Sequence, residues 1–154
     1  MAIRNIVKEG DAILAKVCKP VENFNARLHT LLDDMAETMA AANGVGLAAP
    51  QVGILRRAVV VDVGDGLVEL INPVIIEREG EQREVEGCLS CPGDYGLTVR
   101  PMKVKVRAQD RNGNVFTVEG EGLKARAFCH ELDHLEGVLF KQIAVKMLQD
   151  VEEE

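Results

Sequence analysis

The segment His130-Glu131-Leu132-Asp133-His134 contains two of the three histidines in the chain. On an α-helix, residues four positions apart lie on one face, so both imidazoles can reach the same point. Helices bind zinc-type metal ions with this spacing, and Glu131 is of the type that acts as general base on a metal-activated water. A buried helix with two hydrogen-bonded core histidines would show the same pattern. The scarcity of histidine and the apolar neighbours favour the metal site, because buried polar groups need partners.

The two histidines leave a zinc-type site incomplete, since such sites use at least three protein ligands. The metzincin pattern would place a third histidine at position 140, which is Phe140, so that class is excluded. The best upstream candidates are Cys88 and Cys91. Two arrangements remain open at this point. One is a catalytic site with a single cysteine ligand, in which Glu131 has a task; the other is a closed structural zinc site made by Cys88, Cys91, His130 and His134.

Composition limits the class of protein. The 154 residues predict one domain, residues 1–154, and a hydrophobic share of 47% predicts a folded core. A net charge of −7 argues against DNA or another nucleic acid as the main partner. No apolar run approaches the length of a membrane span, and no secretion signal is recognisable. We therefore expect a cytoplasmic protein with reduced cysteines and no membrane association.

The hydrophobic pattern predicts an α+β fold. Asn25 is a suitable N-cap for an N-terminal helix that runs to about Ala42, and a second helix, carrying the metal-binding motif, follows Gly122. We expect antiparallel sheets packed around this central helix. Residues 81–86 are polar, which predicts a solvated edge. The predicted strands are residues 58–63, 68–71, 74–79, 102–108 and 115–118.

Three separated blocks, residues 44–51, 86–90 and 130–134, resemble the three signature motifs of the peptide deformylase family. They occur in that family's order and with similar intervals, and the resemblance extends over nearly the whole chain. It implies a hydrolase that removes the N-formyl group from the initiator methionine of new polypeptides and releases formate. Formylmethionyl nascent peptides would then be the partners, with transient proximity to the ribosome. The short acidic tail, residues 150–154, does not support the ribosome docking attributed to longer basic tails in some members.

The resemblance also implies roles for single residues. The metal ligands would be Cys88, His130 and His134. Glu131 would take a proton from the attacking water and pass it to the leaving amine. Gln51 and the backbone N–H of Leu89 would hold the formyl oxygen as it becomes an oxyanion.

The same comparison places the substrate against a glycine-containing loop, Gly44, Val45 and Gly46. The apolar residues near the motif suggest a pocket for the methionine side chain. We expect it to be formed by Val45, Leu123, Ala127 and Phe128.

One divalent metal ion per chain is expected. Ligand softness alone points to Zn(II) first, whereas the resemblance implies Fe(II) in the cell, with Ni(II), Co(II) or Zn(II) as substitutes. The chain departs from the family pattern at Cys129, where many members have glutamine, and at Cys91, where a larger apolar residue is frequent. We expect these additional thiols to increase sensitivity to oxidation.

Overall fold

The N-terminal helix α1 begins where the sequence predicts. The structure, a computed structural model, describes residues 2–148, and α1 spans Ala26–Ala41. The side chain of Asn25 accepts a hydrogen bond from the Leu28 N–H at 3.1 Å and caps the helix. Its apolar stripe is buried, as predicted: Leu28, Leu31, Leu32, Met35 and Met39.

Two antiparallel sheets follow α1 in the chain. The first has five strands in the order β1-β2-β3-β6-β7, and the second has three in the order β4-β5-β8. Within residues 2–148 the strands are β1 (Gly46–Ala48), β2 (Ala58–Val61), β3 (Val68–Glu79), β4 (Gln82–Cys88), β5 (Cys91–Arg100), β6 (Lys103–Gln109), β7 (Val115–Glu121) and β8 (Lys146–Met147).

The central helix α2 spans Leu123–Leu135 and follows Gly122, whose φ of 62° favours glycine. Ten of its 13 residues are buried. It packs on β1, β2 and β7 of the larger sheet and also contacts β5 of the smaller one. The predicted α+β arrangement, with antiparallel sheets around a central helix, is confirmed. A short third helix, α3, spans Phe140–Ile143.

Strand β2 shows how the larger sheet separates the two long helices. Val59 and Val61 belong to the apolar cluster that contains α2. Ala58 and Val60 belong to the cluster that contains the apolar face of α1. Successive side chains of a strand point to opposite faces, so β2 is buried on both sides and is apolar throughout.

Three predictions about strands were incomplete or wrong. The strand predicted over residues 58–63 ends at Val61. Residues 68–71 and 74–79 form the single strand β3, because Asn72 (φ 52°) makes an irregularity that β3 spans without ending. Residues 81–86 do lie at a largely exposed sheet edge, as predicted, but the prediction did not identify them as a strand: they lie largely in β4, whose partner β5 was also not predicted.

The acidic tail, residues 150–154, lies outside the described residues. In the described part of the chain, no helix combines the length and apolar character needed to cross a membrane.

Candidate metal centre and active site

Three predicted ligands converge between α2 and the smaller sheet. Cys88 ends β4, while His130 and His134 project from consecutive turns of α2. One ligand atom from each residue lies within 4.8 Å of those of the other two. The Cys88 Sγ and His134 Nε2 atoms are 3.4 Å apart.

These distances fit a metal ion. Bonds of about 2.3 Å to sulfur and about 2.05 Å to nitrogen, in tetrahedral geometry, place the two donor atoms about 3.6 Å apart. The observed sulfur–nitrogen distance of 3.4 Å agrees with that value. Within residues 2–148, the cluster of side chains that could hold a metal ion consists of Cys88, His130 and His134; Cys91 is not part of it. The geometry therefore does not support the closed four-ligand zinc site.

His130 and His134 have different surroundings, and each of these favours binding of a metal ion. The Nδ1 atom of His130 is 2.9 Å from Glu86 Oε1, which leaves Nε2 for the ligand cluster. His134 is almost fully buried, and within the described part of the chain its Nδ1 has no hydrogen-bond partner. Burial, followed by the charges of His130 and Arg100, lowers the pKa of His134 to about 3. His134 is therefore neutral at pH 7, the form that binds metals.

Glu86 is the buried anion that positions His130. Its carboxylate accepts hydrogen bonds from Arg100 Nε at 2.8 Å and Nη2 at 2.9 Å, and from Thr98 Oγ1 at 2.6 Å. Arg126 Nη1 approaches at 3.3 Å. Burial opposes ionisation, but the hydrogen bonds from Arg100 and His130 outweigh it and hold the pKa of Glu86 well below its usual range.

Arg100 forms an ion pair with Glu86 and also binds Asp133 at 2.7 Å. Sequence reasoning missed Thr98 and Arg126. Their signal was weak: a threonine in a strand that was not predicted, and one arginine in an otherwise apolar turn of α2.

Glu131 lies beside the ligand cluster and is buried, with only 4% of its surface exposed. Its Oε1 atom has no hydrogen-bond partner among residues 2–148. On the opposite side of the carboxylate, a Cβ added at Gly46 would stand 2.5 Å from Oε2. Burial raises the pKa of Glu131 to about 7, a value suited to proton transfer near neutral pH. The glycine at position 46 is thus required by the close approach of this side chain.

Gln51 has a fixed orientation. Its Oε1 accepts a hydrogen bond from the Ala48 N–H at 2.9 Å, and its Nε2 donates to Ser90 Oγ at 3.1 Å. The same Nε2 is 3.6 Å from Cys88 Sγ, so the donor end faces the ligand cluster. Leu89 lies in the turn between β4 and β5 and lines a pocket that opens beside these residues.

A pocket of about 480 Å³ opens onto the cluster. Its wall includes five residues predicted for substrate binding: Gly44, Val45, Gly46, Leu123 and Ala127. Phe128 does not line it, because it points from the opposite side of α2 into the apolar core and is fully buried. The prediction for Phe128 was therefore wrong. The rim also contains Val85 and Tyr95, two exposed apolar side chains that were not predicted.

Comparison with known proteins gives a consistent result. The model of the polypeptide deformylase family matches residues 3–149. The chain is 58% identical to the peptide deformylase of Acetivibrio thermocellus, over 100% of this chain and 91% of that protein. It is 60% identical to that of Caldanaerobacter subterraneus subsp. tengcongensis, over 99% and 96% of the two chains.

Solved structures agree. The peptide deformylase of Thermotoga maritima superposes with a TM-score of 0.90 at 43% identity, covering 92% of this chain and 97% of that one. The peptide deformylase of Ehrlichia chaffeensis in complex with actinonin gives a TM-score of 0.92 at 36% identity, over 95% and 91% of the chains. Because sequence and fold both match over nearly the full length of this chain, the chain belongs to the polypeptide deformylase family.

Proposed function

We propose that the cluster of Cys88, His130 and His134 is the metal centre at which the chain removes the N-formyl group from formylmethionyl polypeptides. The family assignment makes the chain a metal-dependent peptide deformylase. The observation that carries the proposal for the site is the meeting of three ligand atoms within 4.8 Å, beside a buried carboxylate oxygen without a partner. A centre with three protein ligands keeps a coordination position open for water or substrate.

The metal, when bound, supplies Lewis-acid chemistry that activates water near neutral pH and polarises the formyl carbonyl. We propose Fe(II) as the ion in the cell, with Ni(II), Co(II) or Zn(II) able to replace it. The donor set of one thiolate and two imidazoles suits all of these ions. Glu86 supports the centre by accepting the Nδ1 hydrogen of His130 and fixing its tautomer.

Glu131 is the proposed general base. Its unpartnered Oε1 is free to take a proton from the attacking water and later to deliver it to the leaving amine. The close approach of Gly46 on the other side limits where the carboxylate can go. A fixed position next to the reacting atoms is what proton transfer of this kind requires.

Gln51 and Leu89 are the proposed donors to the developing oxyanion. The Gln51 amide is held by Ala48 and Ser90, so its orientation does not have to change during the reaction. Fixed donors of this kind stabilise charge that appears only in the transition state. The backbone N–H of Leu89 would act from the turn on the other side of Cys88.

The pocket provides the surface for the peptide. Gly44, Val45 and Gly46 line one side, and Leu123 and Ala127 of α2 line another. We propose that the apolar members receive the methionine side chain and that the loop lies along the peptide backbone. Leu123 is 51% exposed, which suits a residue at the mouth that becomes covered by substrate.

The substrates would be nascent polypeptides that begin with formylmethionine, met in the cytoplasm close to the ribosome. We further propose that residues 1–154 act as one catalytic domain. Two observations support this. Helix α2 contacts strands of both sheets, and residues of both sheets line the pocket described above.

An open catalytic centre uses Cys88 but not Cys91 as a ligand, whereas a closed structural zinc site uses both, so replacing Cys91 distinguishes the two. We would measure metal content and formate release from a formyl-Met peptide in the parent and in Cys91→Ser, with metal supplied anaerobically. The open centre predicts that both proteins hold one metal and release formate. Loss of the metal on replacing Cys91, with no formate from the parent, would contradict the proposal.

A further inference from the structure

Cys88 and Cys91 lie at the two ends of the turn that joins β4 to β5. They are opposite each other in the antiparallel register of these strands, with Leu89 and Ser90 forming the turn. Directly opposed residues of antiparallel strands have Cα atoms about 4.5–5.5 Å apart. A disulfide bridges Cα atoms that are about 4.4–6.8 Å apart. The backbone thus already has the separation that a disulfide needs.

The two cysteines are direct register partners, so their side chains leave the hairpin side by side at its closed end. Cys91 does not belong to the group of ligand atoms around Cys88. Its side chain is therefore close to one metal ligand but has no place in the metal centre. Both cysteines border the 480 Å³ pocket, so a small oxidant that enters the pocket reaches the pair. Both are reduced in this structure.

We propose that Cys88 and Cys91 form a reversible disulfide when the protein meets a peroxide, and that this bond switches the enzyme off by removing the cysteine ligand from the metal centre. The inference rests on the proposed role of Cys88 as a ligand. It gives a role to Cys91, which the proposed deformylation does not use.

The step balances with hydrogen peroxide as oxidant. The thiolate of one cysteine attacks a peroxide oxygen, the O–O bond breaks, and a sulfenic acid and one water form. The second thiol attacks that sulfur, the S–S bond forms, and the sulfenic oxygen leaves as a second water. The two sulfurs lose two electrons in total, and the peroxide is reduced to two waters. A dithiol reverses the change by thiol–disulfide exchange and becomes a disulfide itself.

Cys91 gives this oxidation a reversible end. A sulfenic acid without a neighbouring thiol is oxidised further to sulfinic and sulfonic acids, which thiols do not reduce. A thiol directly opposite Cys88 captures the sulfenic acid first. The expected consequence is that the enzyme survives an oxidative episode that would otherwise destroy a metal ligand.

The test uses the full chain loaded with zinc, because zinc has no redox chemistry of its own. Samples of the parent, Cys91→Ser and Cys129→Ser are exposed to hydrogen peroxide and then to dithiothreitol. Cys129 is the matched control: it is a buried thiol on α2 that does not border the pocket. Intact mass, peptide mapping and zinc release to a chromogenic chelator are recorded at each stage.

The parent and Cys129→Ser should lose about 2 Da, yield a linked peptide containing Cys88 and Cys91, and release zinc. Dithiothreitol should restore the mass and, with zinc added, the binding of metal. Cys91→Ser should instead gain about 32 or 48 Da at Cys88 and should not recover. If Cys91→Ser does not fold, mapping of the oxidised parent still decides the matter.

A parent that gains oxygen at Cys88 without forming the linked peptide would overturn the inference and leave the proposed function intact. Equal recovery of Cys91→Ser and the parent would also overturn it. A linked peptide that forms while zinc stays bound would overturn both the switch and the assignment of Cys88 as a ligand.

Discussion

Replacing Gly46 with alanine tests the position of Glu131 directly. The added Cβ would stand 2.5 Å from Glu131 Oε2 and 2.9 Å from its Cδ. Non-bonded heavy atoms are most stable at about 3.5 Å, so the carboxylate must withdraw by roughly 1 Å. The φ of Gly46 is not in the positive region, so alanine introduces no backbone strain there. The substitution therefore acts on the carboxylate.

A displacement of about 1 Å in a reacting group costs on the order of 100-fold in rate. That factor corresponds to about 2.7 kcal/mol of activation free energy. We expect Gly46→Ala to lower kcat/KM for formate release from a formyl-Met peptide by about this amount. Metal content should be unchanged, because Cys88, His130 and His134 are not touched, and it should be measured on the same samples.

Gly44→Ala is the matched control. It makes the same change two residues earlier in the chain, but its Cβ would meet Leu89 Cδ1 at 2.7 Å, the end of a flexible side chain that can rotate away. We expect a smaller loss than in Gly46→Ala. A Gly46→Ala enzyme with full metal and near-parent kcat/KM would refute the assignment of Glu131 as a base held in place by this contact.

Further predictions concern three other side chains. Glu131→Ala should keep the metal and lose about 10²–10⁴-fold in kcat; near-parent turnover would show that another group moves the proton. Glu86→Gln should weaken metal binding by about 10–100-fold in a chelator competition, because His130 loses its anionic partner; unchanged affinity would contradict that role. Because the pKa of Glu86 is lower in the folded protein than in the unfolded chain, ionised Glu86 stabilises the fold. This contribution is complete above the unfolded pKa of about 4.3 and is lost as the pH falls from there towards the lower pKa of the folded protein. Urea unfolding between about pH 5 and 3 should therefore show a steeper loss of stability in the parent than in Glu86→Gln, and equal slopes would exclude this linkage. Leu123→Asp should raise KM for a formyl-Met peptide with little change in melting temperature, because this side chain is 51% exposed at the pocket mouth; an unchanged KM would remove Leu123 from the substrate surface.

Both long helices could be predicted because their signals are local. Asn25 caps α1, and one apolar stripe follows it at helical spacing. Gly122 precedes α2, and an uninterrupted segment without glycine or proline carries the two histidines. These features lie within a few residues of each other, so they are visible without knowledge of the tertiary structure.

The smaller sheet was missed because most of its buried positions are polar. Gln82, Glu86, Thr98 and Arg100 are all buried, and they break the apolar alternation that identifies a strand. These side chains are satisfied by one another and by Arg126, across up to 44 residues of sequence. Such a network becomes apparent only when β4, β5 and α2 are placed side by side.

The candidate site divides in the same way. The motif of α2 supplied two histidines and Glu131, and the family resemblance supplied Cys88, Gln51 and Leu89. Their convergence needed the fold, because Cys88 and His134 are 46 residues apart in sequence. The rim residues Val85 and Tyr95 had no signal of their own, since a single exposed apolar residue is common on protein surfaces.

Formate release from a formyl-Met peptide, measured on the chain loaded anaerobically with Fe(II), is the decisive test of metal-dependent deformylation by this chain. We expect one formate and one free methionyl amine per substrate consumed, with loss of activity on chelation and its return when the metal is restored. Replacing Cys88 with serine should abolish this return by weakening the metal centre. A metal-loaded protein that releases no formate with Fe(II), Ni(II) or Co(II), or one whose formate release survives complete chelation, would contradict it.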